Sequence, residues 1–216
     1  MTPEIDIIPS ILTDSADRVY KYLFQAEGVA SRVHIDIIDG VFADNKTIDP
    51  TVLQEADTRI MLDFHLMVNE PVKWVEKCVR SGAERIIGQV EMMMDQYEFV
   101  SRVQEAGVYP GLAIDVDTPV EAVERKLLGD LDVVLVMSVP AGFGGQKFHT
   151  AALDKIKKLS QLRKNGKEFI IADDGGVTVD TLSRLPGSGV NEVVIGTRIF
   201  EGDLAKNIHA YEKSVK

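Results

Sequence analysis

One cysteine, Cys78, stands among 216 residues. Without a second thiol no intrachain disulfide can form, so the fold must rest on its core, and such cysteine usage fits a reducing cytoplasm. Long apolar runs are also missing: nothing approaches the roughly 18 consecutive apolar residues of a membrane span. Residues 1–6 carry neither the basic region nor the apolar stretch of a secretory signal. A cytoplasmic protein with no membrane partner is therefore expected. Positive charge is scarce, with 24 Lys and Arg against 34 Asp and Glu and a formal net charge of −10. That balance argues against a nucleic-acid partner, because an extended acidic surface repels phosphate. One small phosphorylated ligand is not excluded, since backbone amides can hold a phosphate without a basic patch. Linkers and low-complexity segments are absent too, and the length suits one sizeable core, so residues 1–216 are expected to form a single domain.

The stretch Val33-His34-Ile35-Asp36-Ile37-Ile38-Asp39-Gly40 organises what is there. As a strand it alternates faces, so Val33, Ile35 and Ile37 point one way while His34 and Asp36 point the other, with Ile38 beyond them. The apolar face suits packing against helices. A histidine and a carboxylate on the opposite face are costly unless solvent, a hydrogen-bond partner or a metal ion meets them. Taken alone, the pair is more simply a satisfied hydrogen-bonded unit.

Short apolar runs alternate with helical patterns along the chain. Strands are expected at residues 5–12, 33–40, 60–68, 84–91, 109–115, 133–139, 169–174 and 193–199. Helices are expected at 16–27, near Val52, after Pro71, and at 96–105, 119–128, 151–164 (ending near Gly166), 179–185 and 204–215. Within the helix after Pro71, Val72, Val75, Cys78 and Val79 recur at helical spacing, which makes Cys78 a buried packing residue. Parallel strands need crossovers of this kind, and eight in one short chain imply an α/β fold, a closed (β/α)8 TIM barrel. An open doubly wound sheet would want a G-x-G-x-x-G turn after the first strand, where Leu12-Thr13-Asp14-Ser15 stands instead.

Barrel active sites form at the carboxyl ends of the strands. Strand two offers His34 and Asp36, strand three Asp63 and His65, and strand seven places Asp174 at the rim. Two histidines and two carboxylates from strands two, three and seven can converge across one mouth. Imidazole with carboxylate suits one divalent metal ion: zinc, iron, manganese or cobalt. The remaining rim residues read as a phosphate cradle. Gly142-Phe143-Gly144-Gly145 follows strand six, Gly175-Gly176 follows strand seven, and Gly196-Thr197 falls late in strand eight. Glycines let backbone amides approach an anion, and adjacent strands seven and eight commonly hold a phosphate in such barrels. Each loop taken separately could be no more than a tight turn. Arg198 could reach the same phosphate or face outward.

Five segments resemble the ribulose-phosphate 3-epimerase family, in order and in spacing over nearly the whole chain. They are Pro9-Ser10-Ile11-Leu12; His34-x-Asp36-x-x-Asp39-Gly40; His65-Leu66-Met67-Val68; Met137-Ser138-Val139 through Gly142-Phe143-Gly144-Gly145-Gln146-Lys147-Phe148; and Asp174-Gly175-Gly176-Val177. The resemblance implies a metal held by His34, Asp36, His65 and Asp174, with Asp36 and Asp174 also the catalytic acid/base pair. It implies substrate contacts from Ser10, His65 and the glycine loops, with Met67 and Met137 lining the site. The implied activity is epimerisation at carbon 3 of a small sugar phosphate, most simply D-ribulose 5-phosphate to D-xylulose 5-phosphate, through an enediolate. Assembly as a homo-oligomer is expected, with the number of chains open.

Departures from the family pattern include Ile38 before Asp39, the loop Val41-Phe42-Ala43-Asp44-Asn45, Gln89, Asp115, Pro140-Ala141 and Asp173. They are expected to reshape the rim and leave substrate identity more open than reaction type. The alternatives are a ketohexose 6-phosphate epimerase of the allulose 6-phosphate type and a non-catalytic sugar-phosphate-binding barrel. A decarboxylase or synthase of related barrels would carry D-x-K-x-x-D, whereas Ile37 and Ile38 follow Asp36 with no lysine.

Overall fold

The computed structural model describes residues 5–163 and 168–215. Eight strands, β1 (Asp6–Ile11), β2 (Arg32–Ile38), β3 (Met61–Met67), β4 (Ala83–Gln89), β5 (Tyr109–Ile114), β6 (Val133–Met137), β7 (Ile170–Asp174) and β8 (Glu192–Ile195), pair in parallel in chain order. β8 closes onto β1 through pairs such as Ile8↔Val194, so the sheet has no free edge. The helices are α1 (Ala16–Ala26), α2 (Val75–Arg80), α3 (Gln96–Glu105), α4 (Ala151–Arg163), α5 (Val179–Leu182) and α6 (Leu204–Ser214). The chain is a (β/α)8 barrel, as the alternation of patterns implied. No helix among the described residues is long and apolar enough to cross a membrane.

Side-chain alternation divides the core in two. Val33, Ile35 and Ile37 of β2 belong to the outer layer between sheet and helices. Ile8, Ile38, Met67, Ile87, Leu135, Met137, Ala172 and Val194 fill the barrel interior. Helix starts are set by local hydrogen bonding: Ser15, Asp95 and Asp203 accept from backbone amides in the first turns of α1, α3 and α6. Cys78 is fully buried in the outer layer, and burial pushes its thiol above the usual range.

Several boundaries differ from the sequence reading. Residues 119–128 do not form one helix but two 3-10 turns, Val120–Ala122 and Leu127–Gly129, separated by an extended Val123. The cause is tertiary. Gln96 donates from Nε2 to the Ala122 carbonyl (2.7 Å) and accepts from the Glu124 amide at Oε1 (2.9 Å), taking backbone groups a helix would have used. Val120, Val123 and Leu127 are buried all the same. β8 ends at Ile195 rather than at 199, so Gly196 and Thr197 open the 3-10 turn Thr197–Phe200 instead of lying late in the strand. β6 likewise stops at Met137, and α5 is a single turn. The expected helix end near Gly166 lies outside the described residues.

Asp63 faces inward, as expected for the face it shares with His65, but an ionic layer beneath the mouth takes it up. Arg85, 2% exposed, pairs with Asp63, with Glu192 at 2.6 Å and with Asp132 at 3.1 Å, while Arg32 holds the other Asp63 oxygen. Removing the shared guanidinium leaves buried Glu192 without its arginine and Asp63 with Arg32 alone, a costly imbalance in the interior. Arg85→Met is therefore expected to lower the unfolding free energy by about 3–5 kcal/mol. Urea denaturation measures it, and a wild-type midpoint would contradict a structural role for this layer.

Candidate active site

Register brings the polar residues together. β2 and β3 pair with Asp36 beside His65, β1 and β2 with Ser10 beside His34, and β6 and β7 with Met137 beside Asp174. Their inward side chains meet at the carboxyl end of the barrel. One ligand atom from each of His34, Asp36, His65 and Asp174 lies within 4.8 Å of all the others. His34 Nε2 is 3.5 Å from Asp36 Oδ1 and 3.8 Å from Asp174 Oδ2. His65 Nδ1 is 3.2 Å from Asp36 Oδ1 and 3.8 Å from Asp174 Oδ2. Ser10 donates its hydroxyl to Asp36 Oδ2 at 2.5 Å, and Thr47 donates to the Asp36 carbonyl at 2.8 Å.

Both imidazoles are buried, and His34 Nδ1, His34 Nε2 and His65 Nε2 have no hydrogen-bond partner among the described residues. Buried polar atoms without partners are uncommon, and here they cluster around two carboxylates. The donor set of imidazole nitrogen and carboxylate oxygen fits a divalent transition metal. Protonation points the same way. Burial, then the neighbouring Asp36 charge, pushes the Asp174 carboxyl up to about 8. Burial favours neutral His34, but the facing Asp36 carboxylate, with Asp174 and Asp63 nearby, outweighs that and raises it. For His65 burial prevails and lowers it, despite Asp36. Asp36 is also disfavoured as an anion by burial, yet the two histidines hold it well below the usual carboxylate range. A dication would replace this crowding of protons and like charges.

Above the cluster lies a cavity of about 510 Å³. Ser10, Asp36, Met67, Met137 and Asp174 line it, and so do all the cradle residues: Gly142, Phe143, Gly144, Gly145, Gly175, Gly176, Gly196 and Thr197. His65, which the resemblance also implied as a substrate contact, is fully buried and does not line the cavity. Gly176 has φ +64°, and a Cβ there would collide with the backbone of Phe148, so the β6 loop and the β7 turn can pack only around glycine. Arg198 lies on the cavity wall together with Tyr211 of α6.

Sequence reasoning missed Thr47 and Tyr211, and it placed Asn45 in a departing loop without giving it a role. Tyr211 sits on the last helix with no local signal, while Thr47 and Asn45 belong to an irregular loop whose bonds are mostly tertiary. The departing residues do not themselves line the cavity, but Asn45 and Ala43 meet Gly142 of the loop that does. Ile38, Val41, Asp44, Gln89, Asp115 and Asp173 all stand off the cavity wall. Asp115 is instead a fastener, its Oδ1 accepting from the Ala141 amide at 3.0 Å.

A family model described as the ribulose-phosphate 3 epimerase family matches residues 6–200. The ribulose-phosphate 3-epimerase of Bacillus subtilis (strain 168) is 33% identical over 201 residues, covering 91% of this chain and 92% of that protein. The cytoplasmic isoform of ribulose-phosphate 3-epimerase from Oryza sativa subsp. japonica is 35% identical over 193 residues, covering 87% and 83%. Among solved structures, a ligand complex of KGPDC from Streptococcus mutans superposes with a TM-score of 0.73 at 11% identity, over 99% of this chain and 97% of that one. A 3-hexulose-6-phosphate synthase gives 0.68 at 11% identity, over 99% and 100%. At such identity these two matches show the shared barrel alone.

Asp173 points away from the cavity into the layer under the helices. It accepts from the Ser138 hydroxyl, and its Oδ2 has no partner among the described residues. Burial pushes its carboxyl from 3.8 up to about 7, against the opposing Ser138 hydrogen bond. Between those pH values the folded chain holds a proton that the unfolded chain has released, so stability falls as pH rises through the window. Asp173→Asn is expected to remove that slope, its advantage over wild type growing with pH up to about 7 and then levelling. Urea midpoints measured across pH test this, and parallel curves would contradict it.

Proposed function

The chain belongs to the ribulose-phosphate 3-epimerase family and is thus an isomerase, and from that premise we propose that it inverts carbon 3 of D-ribulose 5-phosphate with a divalent cation held by His34, Asp36, His65 and Asp174. The observation that carries this reading is the pair of carboxylates from β2 and β7 at the cavity floor, each within 4 Å of buried imidazole nitrogens. Epimerisation beside a ketone removes the proton on carbon 3 and returns one to the opposite face. The barrier is the negative charge that develops on the carbonyl oxygen. A bound divalent cation supplies Lewis-acid stabilisation of that charge.

The protein's own groups do the rest. Asp36 takes the proton from one face, and Asp174 gives one from the other, the two exchanging roles when the reaction reverses. Ser10 ties up Asp36 Oδ2, so that Oδ1 is the oxygen turned to the histidines. Met67 and Met137 give the floor apolar walls that exclude water around the developing charge. The phosphate end of the substrate goes to the backbone amides of the glycine loops, which carry no negative charge of their own. None of the departing residues lines the cavity, although Ala43 and Asn45 meet Gly142 of the loop that does, and the pentose phosphate named by the relatives is the substrate we favour over a ketohexose phosphate.

Two experiments test the reading. Product formed in heavy water should carry deuterium at carbon 3, and its absence would exclude exchange through two solvent-accessible carboxylates. Asp36→Asn and Asp174→Asn should each cut kcat by about a hundredfold or more, in line with general acid–base catalysis. Full activity in either variant would remove that residue from the role. In a panel of sugar phosphates, kcat/KM should be greatest for D-ribulose 5-phosphate. A greater value for allulose 6-phosphate would transfer the assignment to the hexose reaction.

A further inference from the structure

We infer that Asn45 is a positioning residue: its side chain latches the glycine-rich loop, residues 140–149, in the conformation that receives the substrate's phosphate. The inference rests on the sugar-phosphate reading above and adds a residue that has no part in the chemistry.

The loop that carries Asn45 is braced from below. Asp39 accepts from the amides of Val41 (2.8 Å) and Phe42 (3.0 Å) with one oxygen and from Asn69 (2.7 Å) with the other. Thr47 closes the far side, its amide donating to the Ile38 carbonyl at 3.1 Å and its hydroxyl to the Asp36 carbonyl at 2.8 Å. Asn45 therefore projects from a segment rooted directly on the strand that bears Asp36. Its Oδ1 accepts from the Lys46 amide (2.9 Å), and its Nδ2 donates to the Gly142 carbonyl (2.7 Å), spanning 97 positions in sequence.

On the other side, the glycine-rich loop braces itself. Gln146 Nε2 donates to the carbonyls of Pro140 (2.7 Å) and Phe143 (2.9 Å), which ties its two halves into one unit. The Asn45 contact then sets where that unit sits. Gly142 has φ +108°, and a Cβ added there would overlap Ala43, so the two loops touch backbone against side chain. A peptide unit is planar and trans, so the Gly142 carbonyl and the Phe143 amide point in opposite directions. Holding the carbonyl toward Asn45 turns the Phe143 N–H away from it. That N–H makes no hydrogen bond among the described residues, and Phe143 lines the cavity. An amide with that freedom, in a loop of glycines, is suited to an anion. The latch requires a donor, and asparagine supplies one where aspartate would set a carboxylate against a carbonyl.

Asn45→Asp separates the latch from any role of Asn45 in its own turn, because it keeps the acceptor for the Lys46 amide and loses the donor. Asn45→Ala loses both and provides a second variant. Binding of inorganic phosphate to the metal-loaded protein, followed by calorimetry, and KM for D-ribulose 5-phosphate are the readouts. Each variant should weaken phosphate binding and raise KM by about three- to tenfold, the loss of one net hydrogen bond. kcat should stay within about twofold, as when ground and transition states lose the same contact. Melting temperature and metal content report a merely structural effect. A change in those two with KM unaltered would overturn the latch, and so would wild-type phosphate affinity in Asn45→Asp. Wild-type protein that neither binds phosphate nor turns over the sugar phosphate would instead overturn the sugar-phosphate reading itself, and the latch with it.

Discussion

Two carboxylates and two imidazoles share one dry layer at the carboxyl end of the barrel, and the rest of the site depends on how that crowding is resolved. Among protein groups alone it is resolved poorly: nitrogens of both rings lack partners among the described residues, and the Asp174 carboxyl is driven up to about 8 by burial and by Asp36. Packing these side chains is worthwhile only if another positive charge enters with them. We assign that role to a divalent cation, whose presence would let both aspartates ionise and would aim their oxygens toward the cavity.

The barrel provides what the cluster needs by stacking layers of different character. At the bottom, Arg85 and Arg32 together balance Asp63 and Glu192 within the protein itself. Above it, Ile87, Leu135, Ala172 and Val194 form an apolar plug. The ionic layer is matched by protein cations, whereas the cluster at the mouth, which begins at His34 beside Asp63 in register, is not. The same inward face thus carries two carboxylate sets with opposite fates, distinguished by whether an arginine reaches them. At the mouth the glycine backbone is neutral, and in the function proposed here it would receive the phosphate end without a basic surface, despite the net charge of −10.

Much of this could be read from sequence because strands repeat every two residues. His34 and Asp36 opposite Val33, Ile35 and Ile37 follow from that period, and once the barrel is inferred, His65 and Asp174 fall at matching depth. The glycine loops were legible as a cluster, and at Gly142, Gly175 and Gly176 close packing leaves no room for a Cβ. What escaped was decided by contacts distant in sequence. The apolar spacing of Val120, Val123 and Leu127 suits a helix, and only the Gln96 amide from α3 explains why none forms. Asp63 resembles a ligand until Arg85 is seen beside it. The departures from the family pattern read as surrounding the sugar, but none of them lines the cavity. Thr47 and Asn45 sit in an irregular loop, where sequence carries no period to reveal which way a side chain faces.

The central claim is that His34, Asp36, His65 and Asp174 together hold one divalent ion. Cobalt(II) titration of metal-free protein, followed by visible absorption, tests it most directly. Saturation at one equivalent per chain, with the signal lost in both His34→Ala and His65→Ala, is the expected result. Unchanged binding in those two variants, or no cobalt spectrum in the wild-type protein, would contradict it.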